Sequence, residues 1–168
     1  MTGIPRVEEI SFDRAVRTSE AQILRTAYRV LGNWADAEDV AQEAFVRLHR
    51  HGLGFPNEAG MMAWLYRVTV NLCLDRVRSP RRWEQLPEMR SEEASAEAVV
   101  IRQDQKQRLM QALGTLPTRE RAAVVLREIE GLSTAEVAAI LGSSEGTVRS
   151  QVSKALGHLR RILNEEAL

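Results

Sequence analysis

The sequence predicts an all-α protein built as two small helical bundles joined by a flexible linker. The composition favours helices over sheets, because 44% of the 168 residues are hydrophobic and only 5% are aromatic. Apolar side chains recur at helical spacing in both halves of the chain. Between the halves, residues 81–98 are acidic, contain proline and show no periodicity. We therefore expect one bundle over residues 10–80, a linker over 81–98 and a second bundle over 99–165.

The first two helices have recognisable ends. A helical pattern runs from Phe12 to Leu31 and stops at Gly32. Asn33 is placed to cap the next helix, whose first turns carry several acids. One apolar stripe follows in that helix: Ala37, Val40, Ala41, Ala44, Phe45 and Leu48. This pattern predicts that the stripe is buried and that the acids lie outside.

A loop and a third helix complete the first half. Three glycines, a proline and an asparagine predict a loop over residues 51–60. The next helix, which ends before Ser79, has a predicted inner stripe of Met61, Trp64, Leu65, Val68 and Leu72. Another face of the same helix carries polar side chains at matching intervals: Arg67, Asn71, Asp75 and Arg78. We expect Cys73, beside the apolar stripe, to be a buried small residue.

The second half contains the strongest local motif, over residues 132–163. Breaks at 114–117, 131–133 and 142–144 divide this half into about four helices. Ser133 or Thr134 can cap a helix in which Ala138 allows close crossing, and Gly142 supplies the turn. With Val148, Val152, Ala155 and Leu159 facing inward, the outward residues are Glu145, Thr147, Arg149, Ser150, Ser153 and Lys154. This spacing is that of a DNA-binding helix-turn-helix, whose second helix suits the major groove.

Charge is arranged in blocks although the net charge is zero. Four acids and no bases lie between Trp34 and Phe45, whereas five arginines and one acid lie between Trp64 and Arg82. Such blocks indicate separate surfaces for separate partners. Neither a catalytic centre nor a metal or cofactor site is predicted, because Cys73 is the single cysteine and His49 and His51 lack a third ligand. We expect no membrane insertion and a location in the reducing cytoplasm.

Three blocks of the sequence resemble the extracytoplasmic-function group of sigma-70 family factors, which are subunits of bacterial RNA polymerase. WADAEDVAQEAFVRLHRH is similar to the region 2 helix that binds polymerase, and AWLYRVTVNLCLDRVRSPRR to the helix that meets the minus-10 element. The stretch from LGTLPTRE to GHLRRIL is similar to region 4, which reads the minus-35 element. Together the blocks cover about residues 10–80 and 105–163.

The resemblance implies a role for each surface. Core RNA polymerase, through its largest and second-largest subunits, would be a partner, and its coiled coil would contact Asp36, Glu38, Asp39, Gln42 and Glu43. Minus-10 DNA would contact Phe55, Asn57, Arg67, Asn71, Asp75 and Arg78, with the loop around Phe55 receiving an extruded base. Minus-35 DNA would contact Glu145, Thr147, Arg149, Ser150, Ser153 and Lys154. The resemblance also implies control by an anti-sigma factor.

The sequence departs from the family at two positions of the recognition helix. Gln151 and Leu156 stand where family members commonly carry basic residues. Fewer phosphate contacts would weaken DNA binding by region 4 alone. Region 2 also lacks the dense aromatic cluster of housekeeping sigma factors. We therefore hypothesise a factor that opens only well-matched promoters, which tolerance of several minus-10 substitutions would contradict.

Two other classes of protein share parts of the pattern. A two-domain regulator with a response-regulator type of helix-turn-helix would explain LPTRERAAVV and GLSTAEVA, yet the chain before Ser79 lacks the alternating strands and helices of a receiver domain. A DNA-cutting or rejoining enzyme would need clustered carboxylates or an activated nucleophile. The acids here follow one helix instead.

Overall fold

The structure is a computed structural model that describes residues 11–77 and 96–165, with the side chains of 11–77 and 102–164. These residues form seven α-helices and one π-helical turn, without any strand. The elements are α1 (Phe12–Leu31), α2 (Trp34–His51), α3 (Glu58–Arg76), α4 (Ala96–Gly114), α5 (Thr118–Val124), the π-turn (Val125–Ile129), α6 (Thr134–Leu141) and α7 (Glu145–Glu165). The all-α prediction is confirmed.

The first three helices begin and end at the residues that their local chemistry favours. The Ser11 hydroxyl accepts from Arg14 N, the Asn33 carbonyl from Asp36 N and the Asn57 carbonyl from Gly60 N, so each helix has a side-chain cap. Gly32 ends α1 in the left-handed conformation with φ 66°. The observed loop is shorter than the predicted one over residues 51–60, because α2 continues to His51 and α3 begins at Glu58, after the Asn57 cap.

Helix α3 is buried on more than the predicted stripe. Met61 and Leu65 are buried as expected, but Trp64, Val68 and Leu72 are only partly buried. The side chains that are fully enclosed instead include Tyr66, Thr69, Val70 and Cys73. The difference from the predicted stripe arises because three helices, α1, α2 and α6, pack on α3. The expected burial of Cys73 is confirmed.

The second half is a short-helix bundle closed by α7. Ser133, not Thr134, caps α6 in a capping box with Glu136, and Gly142 ends that helix with φ 61°. The predicted linker over residues 81–98 is too long at its end, because α4 already begins at Ala96. Ala96, Glu97 and Ala98 are strong helix formers without an apolar stripe, so periodicity alone missed them. Residues 81–95 of that prediction lie outside the described residues.

The two halves pack directly against each other. Each of two buried apolar clusters combines side chains from both halves: Ile23 and Leu65 meet Leu126 and Val137 in one, and Val30 belongs with Leu113 and others in the second. Arg121 of α5 also donates to the Val30 carbonyl of α1 at 2.6 Å. The core therefore depends on contacts between the two halves as well as on contacts within each half.

Candidate nucleic-acid interface

Helix α7 exposes all six residues predicted to read DNA. Glu145, Thr147, Arg149, Ser150, Ser153 and Lys154 are exposed. The opposite face is buried through Val148, Val152, Ala155 and Leu159, as the pattern predicted. Ser144 precedes the helix, and its hydroxyl accepts from Thr147 N at 3.1 Å and lies 2.9 Å from the Thr147 hydroxyl. The start of the helix is thus fixed while its polar face remains open to solvent.

A hydrogen bond from α5 and a backbone turn fix the C-terminal end of α6. The guanidinium of Arg119 on α5 donates to the Leu141 carbonyl at the end of α6. Gly142 adopts a left-handed conformation that a side chain would strain, and Ser143 N then donates to the Ala138 carbonyl at 3.0 Å. The turn between α6 and α7 is therefore built by the backbone as the motif predicted.

A groove beside α7 adds two arginines that were absent from the predicted DNA-binding set. Arg127 of the π-turn and Arg160 of α7 line it with Arg149, and Glu128 lines it as well. Arg160 lies eleven residues after Arg149, on the same helical stripe, so the spacing could have revealed it. Arg127 belongs to another element, and only the tertiary structure brings it there.

Three of the residues predicted to contact the minus-10 element lie on one exposed face of α3. Arg67, Asn71 and Asp75 are all exposed. Arg78 lies outside the described residues. Asn57 is exposed too, but its side-chain carbonyl caps α3 by accepting from Gly60 N at 2.8 Å. Asn57 therefore has its amide NH₂ for a further contact, and its carbonyl serves the helix.

An aromatic cluster surrounds the loop before α3. The rings of His51 and Phe55 stack with centroids 5.0 Å apart and planes 15° apart. Trp64 contacts both, at centroid distances of 4.8 Å to His51 and 5.8 Å to Phe55. Phe55 is partly buried, so its ring fixes the loop to α2 and α3. Sequence reasoning considered His51 only as a metal ligand and missed this stacking.

The acidic face of α2 is exposed except at one position. Glu38, Asp39 and Gln42 are exposed, and Glu43, whose side chain is 44% exposed, pairs with Arg47 at 2.9 Å. Asp36 contradicts the prediction that the acids lie outside, because only 4% of it is exposed. It sits one turn after the Asn33 cap and pairs with Arg76 of α3 at 3.6 Å, so its charge joins two helices.

An apolar groove runs beside this acidic face, between α1 and α2. It has a volume of about 710 Å³, and its apolar lining includes Phe12, Val16, Leu24, Phe45 and Val46; Glu38 and Gln42 line it as well. Val46, on the wall of the groove, is 43% exposed. The groove was not predicted from the sequence, although Val46 lies one turn after Gln42 on α2.

The described residues offer neither a metal cluster nor a membrane-spanning helix. Over the ranges given above, no three His, Cys, Asp or Glu side chains come together as a metal site would require. None of the helices in those ranges combines the length and apolar composition needed to cross a bilayer. Burial raises the pKa of the Cys73 thiol, so it is held in its neutral form.

Comparison with known proteins identifies both halves. Sigma-70 region 2 matches residues 15–84, and Sigma-70, region 4 matches residues 106–159. The ECF RNA polymerase sigma factor SigE of Mycolicibacterium smegmatis is 40% identical over 91% of this chain. SigM of Mycobacterium tuberculosis is 33% identical over 93% of it. The chain spans 62% of the length of that SigE and 79% of that SigM.

A solved structure has a similar fold. CnrH, determined in complex with the cytosolic domain of CnrY, superimposes with a TM-score of 0.65 and 26% sequence identity. The match covers 92% of this chain and 88% of that one. With two family regions in order along most of the sequence, the chain belongs to the sigma-70 family, within the extracytoplasmic-function group of RNA polymerase sigma factors.

Proposed function

We propose that this chain binds core RNA polymerase and directs it to promoters by contacting the minus-35 and minus-10 elements, with a region 2 domain over residues 10–80 and a region 4 domain over 99–165. The observation that carries the proposal is the pair of exposed polar helix faces, on α3 and α7, in a chain of this family. The chain would act without catalysis of its own, as the specificity subunit of the polymerase.

The α7 face would read the minus-35 duplex. Arg149 and Lys154 supply guanidinium and ammonium donors, and Ser150 and Ser153 supply small hydroxyls on the same exposed side. Arginine can pair with guanine edges, whereas lysine suits phosphates. Arg127 and Arg160 would extend the phosphate-binding surface along the groove and offset the neutral residues Gln151 and Leu156.

The α3 face and the loop before it would meet the minus-10 element. Arg67, Asn71 and Asp75 offer donors and acceptors to the duplex, and Arg78 would continue the row. Phe55 would stack on an extruded base, and the Asn57 amide would donate to it, which would offset part of the cost of unstacking. Phe55 packs against the rings of His51 and Trp64, so the loop would be ordered before DNA binds.

The acidic face of α2 would bind the coiled coil of the largest polymerase subunit through Glu38, Asp39, Gln42 and Glu43. The second-largest subunit would be a partner as well. Asp36 would act indirectly by fixing α2 to α3 through Arg76. The apolar groove beside the acids provides a surface whose burial would add affinity.

Control by an anti-sigma factor in the cytoplasm is part of the proposal. The similar protein CnrH was solved with a bound polypeptide, the cytosolic domain of CnrY. A helical fold of this kind therefore accommodates a second chain, and an inhibitor that binds the same faces would block polymerase and DNA together.

Reconstitution with core polymerase tests the proposal. The purified chain should associate with core enzyme and start transcription at a defined set of genomic promoters. Replacing Arg149 by alanine should lower initiation roughly tenfold or more at promoters with a matched minus-35 element, the loss expected for one base-contacting arginine. The matched control is Arg102→Ala, an exposed arginine of α4, which should leave initiation unchanged.

Two results would count against the proposal. If the wild-type chain did not associate with core polymerase, the family function would not apply to it. If Arg149→Ala and Arg102→Ala reduced initiation equally, the α7 face would not be the reader of the minus-35 element. A response-regulator type of protein would bind promoter DNA without needing core polymerase.

A further inference from the structure

Glu130 is a carboxylate enclosed between the two halves of the molecule. It follows the π-turn in the second half, yet its side chain is only 4% exposed. Its oxygens accept from Thr26 Oγ1 at 2.7 Å, Tyr66 Oη at 3.0 Å, Arg29 Nη1 at 3.1 Å and Gln22 Nε2 at 3.2 Å. These four donors belong to α1 and α3, so a single acid of the second half collects hydrogen bonds from the first.

The backbone before Glu130 is shaped for this position. Glu130 N donates to the Val125 carbonyl at 3.0 Å, which is the wider i to i−5 spacing of a π-helix. Leu126, whose carbonyl would serve an ordinary α-helical turn there, accepts from Leu132 N at 3.0 Å instead. The wider turn changes the direction of the chain just where Glu130 meets α1 and α3. Such turns are frequent at functional positions.

The donors are matched to a negative charge. Arg29 supplies the opposite charge, and its side chain is 28% exposed at the edge of the cluster. Burial, and then the charge of Glu130, raise the pKa of the Tyr66 hydroxyl, which keeps its proton for donation. Gln22 donates to Tyr66 as well as to Glu130, so the cluster is a connected network. Charge-assisted bonds of this kind are stronger than neutral ones.

The packed arrangement is incompatible with reading both promoter elements at once. Elements centred near positions minus-35 and minus-10 are separated by about 85 Å of duplex at 3.4 Å per base pair. A compact chain of 168 residues has a radius of gyration of about 15 Å. The halves must therefore separate before α3 and α7 can reach their two sites.

We propose that Glu130 is a latch that holds regions 2 and 4 together in the free protein and must release before promoter binding. This inference rests on the proposed function. Glu130 would lose its donors when the halves part, so the closed form is favoured until polymerase binds the separated regions more tightly. The apparent affinity for polymerase is then reduced by the small fraction of open molecules.

Replacing Glu130 by glutamine tests the latch without changing its size. One end of the amide can only donate, so two of the four donors lose their acceptor. The open-to-closed ratio of the full-length chain should rise about tenfold, a loss expected for bonds to a buried charge. Small-angle X-ray scattering should give a larger radius of gyration, and core polymerase should bind up to tenfold more tightly. The control is Glu120→Gln, an acid of α5 in the same half.

A second variant guards against misfolding. Arg29→Gln removes the opposing charge from the other half. Because the Arg29 side chain is partly exposed, the substitution should not disturb the apolar core. It should open the molecule too, and combining it with Glu130→Gln should add less than the two changes separately. If Glu130→Gln lost its helical circular dichroism, Arg29→Gln would decide.

The outcomes separate the latch from the function. Unchanged scattering and unchanged polymerase affinity in a folded Glu130→Gln or Arg29→Gln chain would overturn the latch, as would equal opening by Glu120→Gln. Failure of the wild-type chain to bind polymerase would reject the proposed function instead, while the scattering measurement would still report whether Glu130 holds the halves together.

Discussion

Arg121 shows how one charged residue can be kept inside a helical protein. It is 7% exposed, and its guanidinium donates to the carbonyls of Leu113 at 2.7 Å, Leu116 at 2.8 Å and Gly114 at 3.3 Å, besides Val30. Leu113 and Gly114 end α4, and Leu116 lies two residues beyond it, in a region where helix geometry leaves carbonyls in need of donors. Burial lowers the pKa of Arg121 to about 10, so it still carries its charge at neutral pH.

We expect conservative changes at Arg121 to be costly. Arg121→Lys keeps a charge but cannot reach several carbonyls with one ammonium group, so the free energy of unfolding should fall by about 2 kcal/mol. Arg121→Leu should cost about 3 kcal/mol or more, because all four carbonyls lose their charged donor. Urea denaturation measures both, with the exposed Arg102→Lys as control. A loss below about 0.5 kcal/mol for Arg121→Lys, the size of an ordinary surface substitution, would contradict this account.

At the scale of elements, two glycines that both have room for a side chain differ in backbone conformation. A Cβ placed on Gly142 or on Gly157 would meet no atom within 4 Å. Gly142 ends α6 with φ 61°, whereas Gly157 lies inside α7. Packing therefore cannot distinguish the two positions, and only their backbone conformations differ.

The same substitution should have opposite effects at these positions. Gly142→Ala should destabilise the protein by about 1 kcal/mol, because a side chain is strained in the left-handed region. Gly157→Ala should stabilise it by about 0.5–1 kcal/mol, because alanine is the better residue in a helix interior. Thermal or urea unfolding gives both values. Stabilisation by Gly142→Ala would mean that the end of α6 is not formed as described.

At the scale of the whole molecule, the two halves share their buried surface. Both apolar clusters include residues of α1 to α3 together with residues of the second half. Polar contacts join the halves as well, through Arg121 to Val30 and through the Glu130 cluster. Unfolding either half alone would expose apolar surface of the other, which favours cooperative behaviour.

We expect the halves to unfold together in urea. All tryptophans and tyrosines lie at or before Trp83, so fluorescence reports mainly on the first half, whereas circular dichroism reports on every helix. The two signals should change at the same urea concentration, and Cys73, buried and protonated, should react with thiol reagents only in the same range.

Glu130→Gln should move the two midpoints apart, because it weakens the polar contact between the halves and leaves unchanged the apolar clusters that both halves share. Glu120→Gln should leave them coincident. Distinct midpoints in the wild-type chain would show that the packing between the halves contributes little to stability.

Local chemistry let the sequence by itself determine most of the helices and the exposed face of α7. The helix ends at Gly32, Asn33 and Gly142 depend on caps and turns formed within a few residues. The buried and exposed positions along α7 follow from helical periodicity, which is also local. The polar face of α3 was predictable for the same reason. Those features arise from bonds and periodicity that a linear pattern records.

Only the tertiary structure decided what each helix meets on its second side. The burial of Asp36, the enclosure of Tyr66 and Cys73 between neighbours, and the addition of Arg127 to the α7 groove depend on elements far away in the chain. Glu130 is the clearest case, because its donors lie 64 to 108 positions earlier in sequence. A single exposed-looking acid after a helix gives no sign of such partners, since burial is a property of the packed molecule.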